Sequence, residues 1–404
     1  MAIDWNTAIV PRMREAKGSA IRELLKLLND PGIVSFAGGI PDPALFPRAE
    51  IEAATQRILA DPARAAVALQ YAPSEGYVPL RRLIAERMQQ RGVPCAIENI
   101  LITSGSQQAL DFIARLFLTP GDRVLVSRPT YLGALQAFNA CEPVYGPLPR
   151  LGDNRTPESA AATKGARFGY VVTDFQNPTG ESLTLAERQA LVEAAASMKL
   201  PLVEDAAYDL LRYDGESLPS LLALDAARAG GIDAASVLYC GTFSKTIAPA
   251  LRIGWVAAPR AVIEKLVLLK QASDLHASTL NQMVIHEVAS TIGAQHLATI
   301  RSTYRARRDA MLAALEAHFP AGVEWTRPEG GMFIWVTVPD RIDTEDLLHR
   351  ALSEARVAFV PGRTFHADDA GRNTLRLNFS LNSERVAAEG IARLGAVLRR
   401  ALAA

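Results

Sequence analysis

Between Ile100 and Ala257 the sequence alternates short β-rich runs with longer stretches of helical periodicity, and this alternation restricts the fold more than any other feature. The runs are Ile100–Thr103, Arg123–Val126, Tyr170–Thr173, Leu202–Glu204, Val237–Cys240 and Ile253–Ala257. Strands that alternate with helices build a mostly parallel sheet covered on both faces. Ligands gather beyond the carboxyl ends of the strands in such sheets, so the residues just after each run are the ones to read for chemistry. From about Gln295 the texture changes. A long charged helical stretch leads to isolated strands at Gly331–Val338 and Leu375–Ser380 among helices, the pattern of a smaller α+β unit. The charge run Arg305–Asp309 reads there as a solvated helix face. Near the start, Ile21, Leu24, Leu25 and Leu28 have the spacing of an amphipathic helix over Ser19–Leu28. It is followed by the loop Phe36-Ala37-Gly38-Gly39-Ile40-Pro41, whose glycines permit a close backbone approach to a ligand or simply a turn.

The fold class expected is α/β. A large domain over 48–294 carries the mostly parallel sheet, a small α+β domain covers 295–404, and the N-terminal segment 1–47 covers the site. A length of 404 residues suits such a division at ~150 residues per domain. Lys+Arg and Asp+Glu are balanced at 43 each, so no net field draws the chain to nucleic acid or an anionic membrane. Cys95, Cys141 and Cys240 lie far apart with no Cys-x-x-Cys, which argues against a disulfide scaffold or a structural zinc site and for a reducing compartment. The opening Met-Ala-Ile-Asp-Trp has no apolar leader, and no run reaches the ~18 apolar residues of a membrane span, so a cytoplasmic location is expected. The six histidines show no ligand spacing, and no metal is expected.

Three segments carry chemistry, two of them just after strands and one within a strand. In Gly241-Thr242-Phe243-Ser244-Lys245, followed by Arg252, two hydroxyls and a guanidinium surround a lysine in a small-residue turn. One phosphate would satisfy Thr242, Ser244 and Arg252 while leaving Lys245 free to react, although a surface lysine beside a salt-bridged arginine fits the same letters. Thr103-Ser104-Gly105-Ser106-Gln107 is a strand running through a turn into a helix, and backbone N–H groups at such a start favour an anion. Arg376 lies in the otherwise apolar strand Leu375-Arg376-Leu377, where a charge needs a partner.

Taken in order, Asn177-Pro178-Thr179-Gly180, Asp205-x-x-Tyr208 and Thr242-x-Ser244-Lys245 with Arg252 resemble the fold-type I, class I/II aminotransferases that use pyridoxal 5'-phosphate. The resemblance implies an aspartate aminotransferase-like fold in which Lys245 holds the cofactor and serves as the base. Asp205 pairs with the pyridine nitrogen, and Asn177 and Tyr208 bond the ring hydroxyl oxygen. It also implies that Ser106, Gln107, Thr242, Ser244 and Arg252 cradle the phosphate, that Tyr131 stacks on the ring, and that Tyr71 reaches the phosphate of the neighbouring subunit in a homodimer. Arg376 and Asn177 would take the substrate α-carboxylate, with Gly39 in the substrate wall. The opening Gly18-Ser19-Ala20-Ile21-Arg22-Glu23 and Phe36-Ala37-Gly38-Gly39-Ile40-Pro41 is similar to the group with 2-aminoadipate aminotransferases, in which the arginine matching Arg22 engages a distal carboxylate.

The expected activity is therefore transamination between an L-amino acid and a 2-oxo acid, over a broad range of acidic, leucine-like or aromatic donors. Two departures stand out, Thr242 where serine is usual and Ala250 where glycine is common. Threonine keeps the hydroxyl, and Ala250 would shift the loop only slightly. The alternatives are a β-eliminating lyase on the same fold and, less favoured, the cofactor-sensing module of a transcription regulator. The latter would need a DNA-binding module, whereas only about twenty residues precede the helix at Ser19.

Overall fold

In the computed structural model, residues 3–14, 32–149, 163–368 and 370–403 are described. The strands, in chain order, are β1 (Val34–Ser35), β2 (Ile100–Thr103), β3 (Arg123–Val126), β4 (Val144–Pro147), β5 (Ala166–Val171), β6 (Leu202–Asp205), β7 (Val237–Thr242), β8 (Gly254–Ala257), β9 (Glu324–Trp325), β10 (Phe333–Thr337), β11 (Val357–Ala358), β12 (Val360–Pro361) and β13 (Thr374–Asn378). β2, β6 and β7 are buried at every position, as continuous apolar runs must be when helices cover both faces of a sheet. They belong to a seven-stranded sheet of order β2-β8-β7-β6-β5-β3-β4. It is parallel except at β8, which runs antiparallel to both its neighbours.

The sheet departs from the sequence reading by more than one residue at three places. β5 starts at Ala166 and ends at Val171, earlier than Tyr170–Thr173, because its pairing with β3 and β6 runs through Phe168, Gly169 and Tyr170. Arg167 and Gly169 hide that run from an apolar pattern. β7 continues to Thr242, since Gly241 and Thr242 pair with Trp255 and Gly254. β4 has no counterpart among the sequence-derived runs. It holds a glycine and a proline, which suit only the sheet edge it occupies.

The second half builds a four-stranded antiparallel sheet, β12-β13-β10-β9. β1 pairs in parallel with β11, which ties the N-terminal loop to this part of the chain. The helix Gly293–His318 runs from the large sheet to the small one and packs against the C-terminal helix Glu384–Ala403. Its charge run is a solvated face only in part: Arg305 and Asp309 are exposed, whereas Arg307 and Arg308 turn inward. Arg308 is 6% exposed and donates to Asp214 (2.5 Å) and to the Pro328 carbonyl (2.9 Å), while Arg307 pairs with Asp42 at 2.6 Å. Tyr304, one turn earlier, is buried, and its hydroxyl joins this belt by accepting the Asp42 N–H at 2.9 Å. The charges cross-link three segments because the helix lies in the seam between the sheets rather than on the outside. The Ser19–Leu28 helix expected from the sequence lies outside the described residues. No helix among the described residues is long and apolar enough to cross a membrane.

Candidate active site

Strand register alone brings two of the sequence motifs together. Gly254, the first residue of β8, pairs with Thr103 on one side and with Thr242 on the other, so the turns after β2 and β7 open on the same spot. In the first turn Gly105 has φ 81° and precedes the helix Ser106–Phe117. A Cβ there would run into the Arg252 guanidinium, so conformation and close approach both require glycine. In the second turn the hydroxyls of Thr242 and Ser244 lie 2.8 Å apart, and the Ser244 N–H donates to Thr242 Oγ1 at 3.1 Å. Arg252 donates to the carbonyls of Ser104 and Pro249, each at 3.2 Å, and has no carboxylate partner among the described residues. A helix N-terminus, two hydroxyls and an unneutralised guanidinium make an anion site with the chemistry of a phosphate cradle. Gln107 lines the same cavity, but its side-chain amide donates to the Gly133 carbonyl at 2.6 Å and braces the helix Leu132–Asn139.

Asp205, the last residue of β6, is 3% exposed. Its Oδ2 accepts the Tyr170 hydroxyl at 2.7 Å, while Oδ1 is buried with no partner. Burial pushes this carboxyl up to about 6, against the opposing pull of the Tyr170 bond and the Lys245 cation. Lys245 lines the cavity with it. Burial first, then the charges of Arg252 and Arg376, bring the amine down to about 8, so it is neutral far more often near neutrality than an ordinary lysine. Lys245 Nζ donates to the Gly39 carbonyl at 3.3 Å and stands 5.9 Å from the Tyr208 ring centroid. Tyr131 and Tyr208 also line the cavity, and burial raises both phenols, Tyr131 to about 12. The orphaned Oδ1 calls for a buried N–H donor facing a lysine and a phosphate cradle. A protonated pyridine bearing a phosphate fits that donor set.

Arg376 is 1% exposed, yet no carboxylate pairs with it among the described residues. Nη1 donates to Asn177 Oδ1 (2.7 Å) and Nη2 to the Ala37 carbonyl (2.8 Å), while Nε has no partner. The guanidinium lies between the rings of Phe333 (4.4 Å) and Phe365 (4.9 Å), which hold it by cation–π contact. Burial lowers its pKa to about 10. A buried cation without a counter-ion is costly unless the site is completed by an anion. Gly39 sits across from it, where a Cβ would come within 3.2 Å of Phe333.

Thus Ser106, Gln107, Tyr131, Asn177, Asp205, Tyr208, Thr242, Ser244, Lys245 and Arg252 line one cavity, with Arg376 and Gly39 bonded to members of it. Tyr71 does not join them. It is 78% exposed, with its ring edge against His276 at 6.0 Å. Arg22 lies outside the described residues. Sequence reasoning missed Tyr170, which fixes Asp205, and the two rings around Arg376. A hydroxyl in a wholly buried stretch of strand was the available signal for Tyr170. Nothing local marks Phe333 or Phe365, which become neighbours of Arg376 only through the small sheet.

Tyr170→Phe removes a hydrogen bond to a buried carboxylate, worth ~1.5–3 kcal/mol for a charged acceptor. Because that bond opposes the upward push of burial on Asp205, its loss raises the carboxyl further. The acid limb of cofactor binding is expected to move to higher pH, read by titrating apo-protein with pyridoxal phosphate as a function of pH. An unmoved limb would show that Tyr170 does not control Asp205.

A covered parallel sheet with a lysine, a buried carboxylate and an anion cradle at its carboxyl edge defines a pyridoxal-phosphate enzyme of fold type I. Residues 42–394 match the family of class I and II aminotransferases. The chain is 42% identical, over 99% of both chains, to 2-aminoadipate transaminase of Thermus thermophilus. It is 41% identical to aromatic-amino-acid aminotransferase 1 of Thermococcus litoralis, over 98% of this chain and 95% of the relative. Among solved structures it is similar to an α-aminoadipate aminotransferase from Thermus thermophilus complexed with N-(5'-phosphopyridoxyl)-L-leucine. The TM-score is 0.90 at 42% identity, with 99% of this chain and 100% of that chain covered. The chain belongs to the class I and II aminotransferases. It is a pyridoxal-phosphate-dependent enzyme of the aspartate aminotransferase-like fold that exchanges amino groups between amino acids and 2-oxo acids.

Proposed function

We propose that the enzyme is a broad-range aminotransferase acting on acidic, leucine-like and aromatic L-amino acids, with 2-oxoglutarate or a similar acceptor. The observation that carries this reading is the buried, uncompensated fork of Arg376, which suits the α-carboxylate common to all amino acids. The range is supported by relatives named for 2-aminoadipate and for aromatic amino acids, and by the leucine adduct of the structural neighbour.

In this reading Ser106, Thr242, Ser244, Arg252 and the N–H groups at the start of the helix would hold the cofactor phosphate, with Gln107 bracing them. Tyr131 would lie against the ring, Asp205 would pair with the pyridine nitrogen through its unpartnered Oδ1, and Asn177 and Tyr208 would bond the ring hydroxyl oxygen. The bound cofactor supplies an electron sink for the Cα–H bond of the substrate. Arg376, aligned by Asn177, grips the α-carboxylate in two-point fashion and turns the Cα–H toward Lys245. Lys245 Nζ, with its lowered pKa, takes the proton from Cα of the donor in one half-reaction and gives a proton to Cα derived from the 2-oxo acid in the other. The rings of Phe333 and Phe365 keep water from the carboxylate pair.

The exposed Tyr71 is assigned to the site of a second subunit in a homodimer, and the unpaired cysteines suit a cytoplasmic enzyme. The division into 1–47, 48–294 and 295–404 goes with this reading. Arg22 is assigned to the distal carboxylate of acidic substrates.

An amino-donor panel read by cofactor absorbance in half-reactions tests the function. Conversion of glutamate or 2-aminoadipate together with leucine or an aromatic amino acid is expected, with Arg22→Ala raising KM for the acidic donors alone. Release of pyruvate and ammonia from cysteine-type substrates, without transamination, would favour the lyase instead. Arg376→Ala is expected to lower kcat/KM for every donor alike, by about 3 kcal/mol or roughly 10²-fold, since it leaves a buried carboxylate unpaired. If one side-chain class alone suffers, Arg376 reads the side chain.

A further inference from the structure

The helices Val78–Gln90 and Thr279–Thr291 pack side by side and begin at the same place. There the Tyr77 N–H donates to Gln282 Oε1 at 2.7 Å, close to the contact of Tyr71 with His276. Their carboxyl ends lie about 20 Å further along, at 1.5 Å per residue. At that end they wall a second cavity of about 380 Å³, well removed from the Tyr71 surface. The volume is within the range of small-ligand sites. Its body is apolar, formed by Ile84, Met88, Phe243, Ile247, Trp255 and Leu297. It is distinct from the cofactor cavity but backs directly onto it, because Ala207 and Thr242 line both.

Charge decides what the cavity fits. Arg91 and Asp209 neutralise each other at 2.5 Å, and the Tyr239 hydroxyl donates to the same carboxylate oxygen at 2.7 Å. Arg87 is left over. It donates from Nη2 to the Ala289 carbonyl at 2.6 Å, in the last turn of the helix Thr279–Thr291, and has no carboxylate partner among the described residues. Burial lowers its pKa, and no acidic group opposes that shift. The helix C-terminus offsets part of the charge, but it occupies only one of the five donors of a guanidinium. A single uncompensated cation beside apolar walls matches one negative charge on an apolar body. A phosphate dianion or a dicarboxylate would bring a second charge for which the lining offers no second unpaired guanidinium, since Arg91 is taken by Asp209.

We propose that this cavity binds a small monocarboxylate with an aryl or branched-alkyl body, held by Arg87 and separate from the substrate carboxylate site at Arg376. The ligand lies behind the Thr242–Ile247 turn that carries Lys245, and beside the Arg91–Asp209 pair. The site does not depend on which amino acids the enzyme transaminates.

The test is equilibrium dialysis of the holoenzyme against 3-phenylpropionate, which has no amino group and cannot enter the reaction. About two molecules per chain are expected. Arg376→Ala should keep the molecule at Arg87, Arg87→Gln should keep the one at Arg376, and the double variant should lose both. In Arg87→Gln the dissociation constant of the second site should rise at least about tenfold, with basal transamination unchanged. Ala294→Trp fills the rim from an exposed position and should also remove the second molecule, which guards against misfolding of the arginine variant. A single molecule per chain, lost in Arg376→Ala, would overturn the proposal. So would a second molecule retained in both Arg87→Gln and Ala294→Trp.

Discussion

Lys245→Ala is expected to abolish the borohydride-reducible linkage to the cofactor and to lower transamination by roughly 10⁴-fold or more, the upper end of what a positioned base contributes. The neighbouring groups explain why no other lysine replaces it. Lys245 stands in one cavity with Arg252 and beside Arg376, and its amine is brought to about 8 by burial and by those two charges. The anion site of Thr242, Ser244, Arg252 and the helix start at Ser106, assigned above to the cofactor phosphate, is untouched in this variant, so pyridoxal phosphate should still bind without a covalent bond. Dialysis and borohydride reduction followed by peptide mapping separate the two effects. A reducible linkage surviving in Lys245→Ala would displace the lysine from its role.

Asp205→Ala is expected to lower turnover on the order of 10³-fold, the scale for removing one preorganised electrostatic group at a reacting centre. Asp205→Asn keeps the shape and removes the charge, and it should be almost as inactive. Neither change should destabilise the apo-protein greatly, because the carboxylate is buried with one oxygen unpartnered and is itself costly to hold. The expected signature is thus a protein with a nearly unchanged Tm that no longer supports transamination. Near-normal turnover would show that another group protonates the cofactor ring. A large fall in apo stability would instead make Asp205 a structural residue.

The two residues differ in how far the sequence alone could take them. Both stand at or just beyond the carboxyl ends of buried strands, which is where a parallel sheet places its ligands, so position marked them before any geometry. The company they keep was not equally legible. That Lys245 lies among hydroxyls and an arginine is visible within a dozen residues of chain. That Asp205 is fixed by Tyr170 depends on the pairing of β5 with β6, and the apolar pattern set β5 four residues too late. The Arg305–Asp309 run shows the same limit in reverse. Its composition suits a solvated face, but the helix lies in the seam between two sheets, and Arg307 and Arg308 are spent on Asp42, Asp214 and the Pro328 carbonyl.

The α/β class, the alternation that forces a parallel sheet and the small-residue turns at which chemistry collects are all legible in the order of the amino acids. These are properties of periodicity and of short motifs, written within a few residues of one another. Long-range packing sets Thr103 and Thr242 on either side of Gly254, encloses Arg376 between Phe333 and Phe365, and places Arg87 at an apolar cavity behind the lysine turn. Each of these is a contact between segments far apart in the chain. The free energy that selects them comes from burying side chains on neighbouring elements, and no local pattern records which neighbour an element will have.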